Sequence, residues 1–532
     1  MINIRFWSRA AAEPDRIVLV TSDGVEHRAG DVLDLANQIV NRLRAGGADV
    51  GDVLATVLPN GLEVLAAYLA AMQAGWYLTP INHHLTESEI GYLVENSGAR
   101  CVIAHERFAG TVTAALEPLA STPELVFVGE VDGYESVDQW LAATPATTPS
   151  DRTAGAVMYY TSGTTGRPKG VRRPLAESSP DDAAIPFLDM LGLFGITTTS
   201  DDVHLCTSPM YHTAVLAFAA SALHTGQQVV LMDRFDATTT LELIERHHVT
   251  NSHMVPTQFH RLLALSDDVR AGFDVSSLRY VIHGAAPCPP DVKRRMIEWW
   301  GPVIYEYYGT TEGGGTFVDS TDWLGRPGTV GQAWEGADIR ILDDDGEELP
   351  RGEIGAVYIY LGPEGFRYHN DDEKTDASRR GDYFTVGDIG YMDDDGYLFL
   401  KDRSSNLIIA GGVNIYPAEI ENALLSHPEV ADVAVFGIPD DDLGERVVAV
   451  VEARSALPDV DALRTHCERL LARFKVPREF SFVAELPRDP SGKLFKRKVR
   501  ETYLADTSSP TGAAGRDNPG SSDHSRKEDQ PC

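Results

Sequence analysis

Residues 156–170 read Ala156-Val-Met-Tyr-Tyr-Thr-Ser-Gly-Thr-Thr-Gly-Arg-Pro-Lys-Gly170. An apolar segment runs straight into hydroxyl residues and spaced glycines and ends in Lys169. Glycines let backbone N–H groups approach a polyphosphate, hydroxyls add donors, and the lysine supplies a point charge. A plain solvated turn gives no reason to combine these features directly after a strand. The GxxxxGK[ST] spacing of a Walker A loop is absent, so the sequence predicts a phosphate cradle of another kind.

Strand and helix patterns alternate on both sides of this loop. Residues 31–45 carry apolar side chains at helical spacing, 52–58 read as a buried strand, 62–74 as a helix and 100–104 as a strand. Beyond the loop come strand 228–232, helix 238–247, strand 279–283 and helix 290–300. This alternation predicts a layered α/β fold with largely parallel sheets. After about residue 320 the pattern changes to short strands and turns. Asp343-Asp-Asp-Gly346 and Asp393-Asp-Asp-Gly396 each separate two apolar segments, as hairpin turns do. Neither has the alternating oxygen ligands of a calcium loop. A smaller α/β unit follows, with helix 417–426, strands 430–437 and 446–451, and helix 460–471. From Ala505 the chain is rich in Ser, Gly, Pro and charge, which predicts a disordered tail.

A chain of 532 residues is too long for one ordinary core, so two or more domains are expected. Its net charge of −33 disfavours nucleic acid as a partner, because phosphate backbones require a positive footprint. The same charge obliges any site for a polyanion to gather its cations and N–H donors locally. No apolar run is long enough to span a bilayer, so no integral membrane segment is expected. Residues 1–16 carry Arg5, Arg9, Glu13 and Asp15, which argues against a secretory signal. Cys101, Cys206, Cys288, Cys467 and Cys532 are scattered without a CxxC pair. Neither a disulfide framework nor a zinc site is expected, and a reducing cytoplasmic location fits best.

Further motifs occur in a fixed order: Pro209-Met-Tyr-His212, His283-Gly-Ala-Ala-Pro287, Tyr307-Tyr-Gly-Thr-Thr-Glu312, Gly387-Asp388, Asp402-Arg403, Gly411-Gly-Val-Asn-Ile-Tyr-Pro-Ala-Glu-Ile420 and Pro490-Ser-Gly-Lys493. With them the chain resembles the adenylate-forming superfamily of acyl-CoA synthetases, firefly luciferase and peptide-synthetase adenylation domains. The resemblance covers about residues 5–504. It implies a large N-terminal domain of packed β-sheets and helices over residues 1–402, a small mobile α+β domain over 403–504, and a tail over 505–532. The implied reaction is ATP-dependent ligation of a carboxylic acid to coenzyme A through an acyl-adenylate, with Mg²⁺ as cofactor and ATP and CoA as co-substrates.

Residue by residue, the resemblance implies the following roles. Thr161, Ser162, Gly163, Thr164, Thr165, Gly166 and Lys169 match the loop around the β- and γ-phosphates. Gly284, Ala285 and Ala286, with Tyr308, match the slot in which adenine stacks. Gly309 and Thr310 lead to Thr311, which matches a hydroxyl on the α-phosphate, and Glu312 matches the carboxylate that holds Mg²⁺. Asp388 matches the ribose acceptor and Arg403 a second nucleotide contact. Lys493 matches the mobile lysine that bridges carboxylate and leaving phosphate. Gly411, Gly412 and Lys475 fall where CoA would pass, with Arg446 as a further cation. Tyr211 and His212 match residues at the acyl pocket, His212 as its gate. Ser405 and Asn406 stand where the family more often has Asp or Lys and then Asp. Thr385 lies two residues before Gly387, where a threonine directly before Gly-Asp is common.

The neighbourhood Met210-Tyr-His-Thr-Ala214 has no acidic residue, which disfavours an α-amino acid, because its buried ammonium would lack a partner. Gly313, Gly314 and Gly315 follow Glu312 and are expected to leave room in the pocket floor for a medium- or long-chain fatty acid or a bulky alicyclic acid. Arg172-Arg173-Pro174 offers two more cations beyond the phosphate loop. A homodimer is an allowed assembly. Two alternatives stand beside the CoA ligase: an enzyme loading a carrier protein, and a silent nucleotide-binding protein. Retention of Lys169, Glu312, Asp388, Arg403 and Lys493 together argues against the silent form.

Overall fold

The computed structural model describes residues 5–161, 167–197, 201–360, 365–440, 443–488 and 494–508. Two compact units divide the chain, one taking Met1–Leu407 and the other Ile408–Asp489 with Leu494–Cys532. No helix among the described residues is long and apolar enough to cross a membrane.

The larger unit is built on two mainly parallel sheets. In the nine-stranded sheet, Ile304–Tyr308, Tyr280–His283, Asn251–Met254, Val203–Cys206, Gln228–Leu231 and Ile17–Val20 run parallel in that order. Antiparallel strands close both edges. The five-stranded sheet is parallel throughout, with Val53–Val57 near its centre. All five residues of that strand are buried, as a continuous apolar run covered on both faces requires. One core joins Leu54 and Leu78 of this sheet, Leu19 and Leu231 of the larger one, and the helices Ala29–Ala45, Leu62–Ala74 and Thr213–Thr225. The helix Ala29–Ala45 buries the stripe Val32, Ala36, Ile39, Val40 and Leu43, whereas Leu62–Ala74 is apolar all round and buried nearly all round.

An antiparallel sheet follows the parallel ones. Asp388–Met392 and Leu398–Arg403 form its hairpin, and the turn at Gly396 (φ +84°) is closed by Gly396 N–H donating to Asp393 O at 3.0 Å. The Gly346 turn (φ +90°) closes in the same way on Asp343 O at 3.1 Å. Both acidic runs are turns, as their composition predicts.

The division between units falls at Leu407–Ile408, a few residues after the expected 402–403 boundary. Arg403 stays on its strand with its guanidinium on Asp388, Ser404 N–H donates to Gly387 O at 2.8 Å, and Asn406 Nδ2 donates to Asp402 Oδ1 at 2.9 Å. These bonds hold the short helical turn Ser404–Asn406 in the larger unit.

The smaller unit has a sheet in the order Val413–Ile415, Ile408–Ala410, Gly444–Ala453, Val430–Asp440, with Glu479–Val483 pairing parallel to Gly444–Ala453. The helices Pro417–Leu425 and Val460–Leu470 bury Ile420, Leu424 and Leu463 in one core with Val433, Val435, Val447 and Val451. A second cluster on Ala434, Phe436 and Val448 takes Val499 and Tyr503 from the helix Lys496–Ser508. This helix corrects the expected start of the tail at 505. Anchored by Val499 and Tyr503, it meets no Gly or Pro before Pro510 and continues to Ser508. The rest of the expected tail lies outside the described residues.

Candidate active site

Ligands of open α/β sheets sit beyond the carboxyl ends of the parallel strands. Here the segments after Tyr280–His283 and Ile304–Tyr308 converge with the Asp388 hairpin.

Tyr308 closes its strand and donates its hydroxyl to Asp388 Oδ2 at 2.6 Å. Arg403 Nε donates to Asp388 Oδ1 at 3.0 Å from the paired position on the neighbouring strand. Asp388 is buried, and burial of the Tyr308 phenol, together with the Asp388 charge, pushes it well above its usual range. Thr385, despite its shifted position, still accepts a bond from Gly387 N–H at 3.0 Å. Gly387 (φ +86°) is required there, since a Cβ would stand 2.9 Å from Ser404 Oγ.

In the slot expected for adenine, Ala285 has φ +66°, a left-handed conformation that costs a residue with a Cβ. A Cβ on Gly284 would lie 2.6 Å from the Tyr307 ring. Behind this slot, Lys293 Nζ on the helix Pro290–Trp300 donates to Glu306 Oε2 at 2.7 Å, and both side chains are buried. This pair ties the helix that follows the slot to the strand that carries Tyr308.

Glu312 is buried and accepts the Tyr368 hydroxyl on Oε1 at 2.8 Å. Arg173 fixes the backbone at this point, donating to Thr311 O at 2.9 Å and Glu312 O at 2.7 Å. Burial lowers the pKa of its guanidinium, with the Glu312 charge acting the other way. Thr311 Oγ1 lies 3.2 Å from Thr213 Oγ1. Thr310 Oγ1 accepts from Gly313 N–H at 3.2 Å, and a Cβ on Gly309 would press on Gly314 O at 3.1 Å.

Thr161 and Lys169 face each other at the mouth of an antiparallel hairpin. Ser162, Gly163, Thr164, Thr165 and Gly166, which the sequence places at the phosphates, lie outside the described residues, as does Lys493. Lys169 forms an ion pair with Asp371, and its ammonium stands 5.8 Å from the Tyr368 ring centre. The bond from Lys169 holds the Asp371 carboxyl below its usual range. Lys169, Tyr368 and Glu312 thus form one connected group. Tyr368, Asp371 and the function of Arg173 were not legible in the sequence. Their one signal was the position of Arg173 just past the phosphate loop. Its companion Arg172 stacks on Tyr77 at 4.3 Å.

His212 stands immediately before the helix Thr213–Thr225, and its ring lies 4.5 Å from that of Tyr211. The glycine triplet requires a correction. Gly313, Gly314 and Gly315 have φ +137°, +69° and +155°. A Cβ on Gly314 would collide with Ile359, and one on Gly315 with Tyr308 O and, at 2.5 Å, with Trp334. The space left by the missing side chains of Gly314 and Gly315 is already filled by protein, so these two glycines give no argument for a long or bulky acyl group.

In the smaller unit, Gly411 (φ +58°) and Gly412 (φ +77°) make the turn between Ile408–Ala410 and Val413–Ile415. A Cβ on Gly412 would meet nothing within 4 Å. Lys475 Nζ is engaged with both oxygens of Glu419, at 2.7 and 2.6 Å. Arg446 lies 3.7 Å from Asp440 and 3.5 Å from Glu479. Any anion recruiting Lys475 competes with Glu419 for its charge.

Comparison with known proteins adds the following. The family model described as AMP-binding enzyme matches residues 6–367, and the AMP-binding enzyme C-terminal domain matches 419–493. The chain is 33% identical over 476 residues to the long-chain-fatty-acid–CoA ligase FadD13 of Mycobacterium tuberculosis, covering 88% of this chain and 92% of that one. It is 33% identical over 497 residues to the 2-succinylbenzoate–CoA ligase of Geobacillus kaustophilus, covering 92% and 96%. Among solved structures, the anthranilate CoA ligase AuaEII in complex with anthranoyl-AMP superposes with a TM-score of 0.83 at 25% identity, covering 94% of this chain and 97% of that one.

Proposed function

The chain belongs to the AMP-binding enzyme family, and from that premise we propose that it is an AMP-forming acid–CoA ligase working through an acyl-adenylate. The observation that carries this reading is the buried Asp388 carboxylate, held from both sides by Tyr308 and Arg403 beside the Arg173-locked Thr311–Glu312 backbone. The relatives and the solved neighbour named above are CoA ligases for a fatty acid, succinylbenzoate and anthranilate, which supports the reaction type and spans several acids.

In the first step a carboxylate oxygen bonds to the α-phosphorus of ATP as the bond to pyrophosphate breaks. The acid is already an anion at neutral pH, so no strong base is needed, and the obstacle is repulsion between anions. Asp388 accepts the ribose hydroxyls, while Arg403 and Tyr308 keep its two oxygens oriented. Tyr308 and the Gly284–Ala286 turn receive the base. Thr311 donates to the α-phosphate, and Lys169 leaves Asp371 to meet the outer phosphates together with residues 162–166. Lys493 supplies the second cation.

A magnesium ion fits Glu312. The carboxylate is buried with Tyr368 on one oxygen, and an ion held there would take its other ligands from phosphates and water. When bound it would neutralise phosphate charge. In the second step the CoA sulfur attacks the acyl carbon and AMP leaves, with Gly411 and Gly412 giving pantetheine a close path along the backbone.

The test is acid-dependent ATP–pyrophosphate exchange followed by thioester analysis with CoA and with a holo carrier protein. Exchange with thioester formed on CoA supports the reading, thioester on the carrier alone replaces CoA as acceptor, and absence of exchange with any acid refutes it.

A further inference from the structure

The helix Thr213–Thr225 runs from a contact with Thr311 into an apolar cluster. Its first residue touches Thr311, the residue assigned to the α-phosphate, hydroxyl to hydroxyl at 3.2 Å. Phe218 lies five residues further along the same helix, about 8 Å on along its axis. Phe218 belongs to a cluster with Phe194, Ile282, Tyr307 and Phe317. One polar side chain is built into this apolar group. His253 is 2% exposed, stacks on Phe218 at 4.8 Å and 22°, and has Nε2 3.1 Å from the Tyr307 hydroxyl.

Tyr307 reaches His253 because Gly284 has no side chain. A Cβ at 284 would lie 2.6 Å from Tyr307 Cε1 and 2.8 Å from Cζ, so the ring lies across the strand at that point. The space opened by this glycine is therefore spent on a wall, as the spaces at Gly314 and Gly315 are spent on Ile359 and Trp334.

The wall carries unspent polarity. His253 Nδ1 is buried without a hydrogen-bond partner among the described residues. Burial holds the imidazole neutral, with its pKa lowered to about 3. If Tyr307 donates to Nε2, then Nδ1–H is a donor without an acceptor. If Nε2–H donates to Tyr307, then Nδ1 is a bare acceptor and the phenol proton is free to donate. An alkyl chain pressed on this wall satisfies neither arrangement, and burying unsatisfied polar atoms is unfavourable.

We propose that Tyr307 and His253 form the end wall of the acyl site and select a compact, ring-bearing carboxylic acid with a hydrogen-bonding group about one ring's length from its carboxyl, over a plain long alkyl acid. This rests on the acid–CoA ligase reading. Both side chains act as specificity residues at the far end of the substrate and leave the reacting atoms to the groups described above.

The experiment uses the full chain with benzoate, 4-hydroxybenzoate, 4-aminobenzoate, octanoate and palmitate, following ATP–pyrophosphate exchange and CoA-thioester formation. The expected result is kcat/KM at least about tenfold higher for a polar-substituted ring acid than for benzoate or either alkyl acid, the worth of roughly one buried hydrogen bond. Tyr307→Phe keeps the packing and is expected to erase that preference through the KM for the acid, leaving the KM for ATP unchanged. His253→Leu should act in the same direction, and Tyr307→Gly should shift activity toward longer acids. Preference of the wild-type chain for octanoate or palmitate, or an unaltered ranking in Tyr307→Phe, overturns the end wall while leaving the ligase reading intact. No exchange with any of the five acids or with a wider panel would sink the ligase reading and the wall with it.

Discussion

The hydroxyl of Tyr308 donates to Asp388 Oδ2 at 2.6 Å, joining the end of a parallel strand to the start of an antiparallel hairpin 80 residues away in sequence. Arg403 takes the other oxygen at 3.0 Å. A carboxylate bonded from both sides keeps one orientation, so a diol arriving there meets acceptors already in place. Hydrogen bonds to a charged group are stronger than neutral ones. Asp388→Ala is therefore expected to raise the KM for ATP by about 10- to 100-fold with little change in the KM for the acid. Steady-state kinetics with each substrate varied in turn checks this, and an equal rise in both would remove Asp388 from the nucleotide site.

Arg173 supports the Thr311 and Glu312 carbonyls from a buried position. Arg173→Met should leave both acceptors without their donor, at about 1–3 kcal/mol each. The expected outcome is a lower urea midpoint together with loss of pyrophosphate exchange. A variant with the wild-type midpoint and activity would show that water replaces the guanidinium.

The smaller unit offers a charge test. Lys475 is paired with Glu419 at 2.6 Å. If Lys475 serves CoA, Glu419→Gln frees it and should lower the KM for CoA several-fold at low salt, while Lys475→Met raises it. Titration of CoA against both variants decides, and two unchanged values would take Lys475 out of the CoA site.

Substitution at the glycine triplet should act through the fold. With φ +155° and Tyr308 O directly in the way of a Cβ, Gly315→Ala is expected to cost at least about 2 kcal/mol and to disturb the Tyr308 backbone. A melting temperature equal to that of the parent would mean that the loop re-forms around the methyl group.

Acid should destabilise the larger unit by a route separate from its carboxylates. Burial lowers His204 to about 4, His224 to about 3 and His253 to about 3, so all three are neutral in the fold. The unfolded chain binds their protons near pH 6.5, and between that value and about 4 it holds more protons than the folded one. Stability is therefore full above pH 6.5 and falls as the pH drops toward 4, by up to about 1.4 kcal/mol per pH unit for each histidine. Urea midpoints from pH 7.5 to 5 measure the slope, and a flat profile would show that these rings protonate without unfolding.

Local chemistry was written along the chain. The helix Leu62–Ala74 and the helix Pro290–Trp300 begin and end where their apolar spacing, prolines and following glycines put them, because such signals act over a few residues. The acidic Gly346 and Gly396 turns were legible for the same reason. The apolar wall was not legible: nothing in Asn-Ser-His-Met around His253 marks it as the partner of Tyr307, 54 residues later. The glycine triplet misled, because an absent side chain reads alike whether it opens a cavity or admits a neighbour.

What the sequence determined alone was the inventory: an ordered set of hydroxyls, glycines, carboxylates and cations, on alternating strands and helices. What only the tertiary structure decided was who holds whom: Asp388 between Tyr308 and Arg403, Glu312 under Tyr368, Lys169 on Asp371, and Tyr307 across Gly284 to His253. Spacing along a chain governs backbone conformation over a turn or a strand. Partnerships across about 15 to 200 residues depend on how whole strands and sheets come together, and that is set by the sum of packing over the core rather than by any one motif.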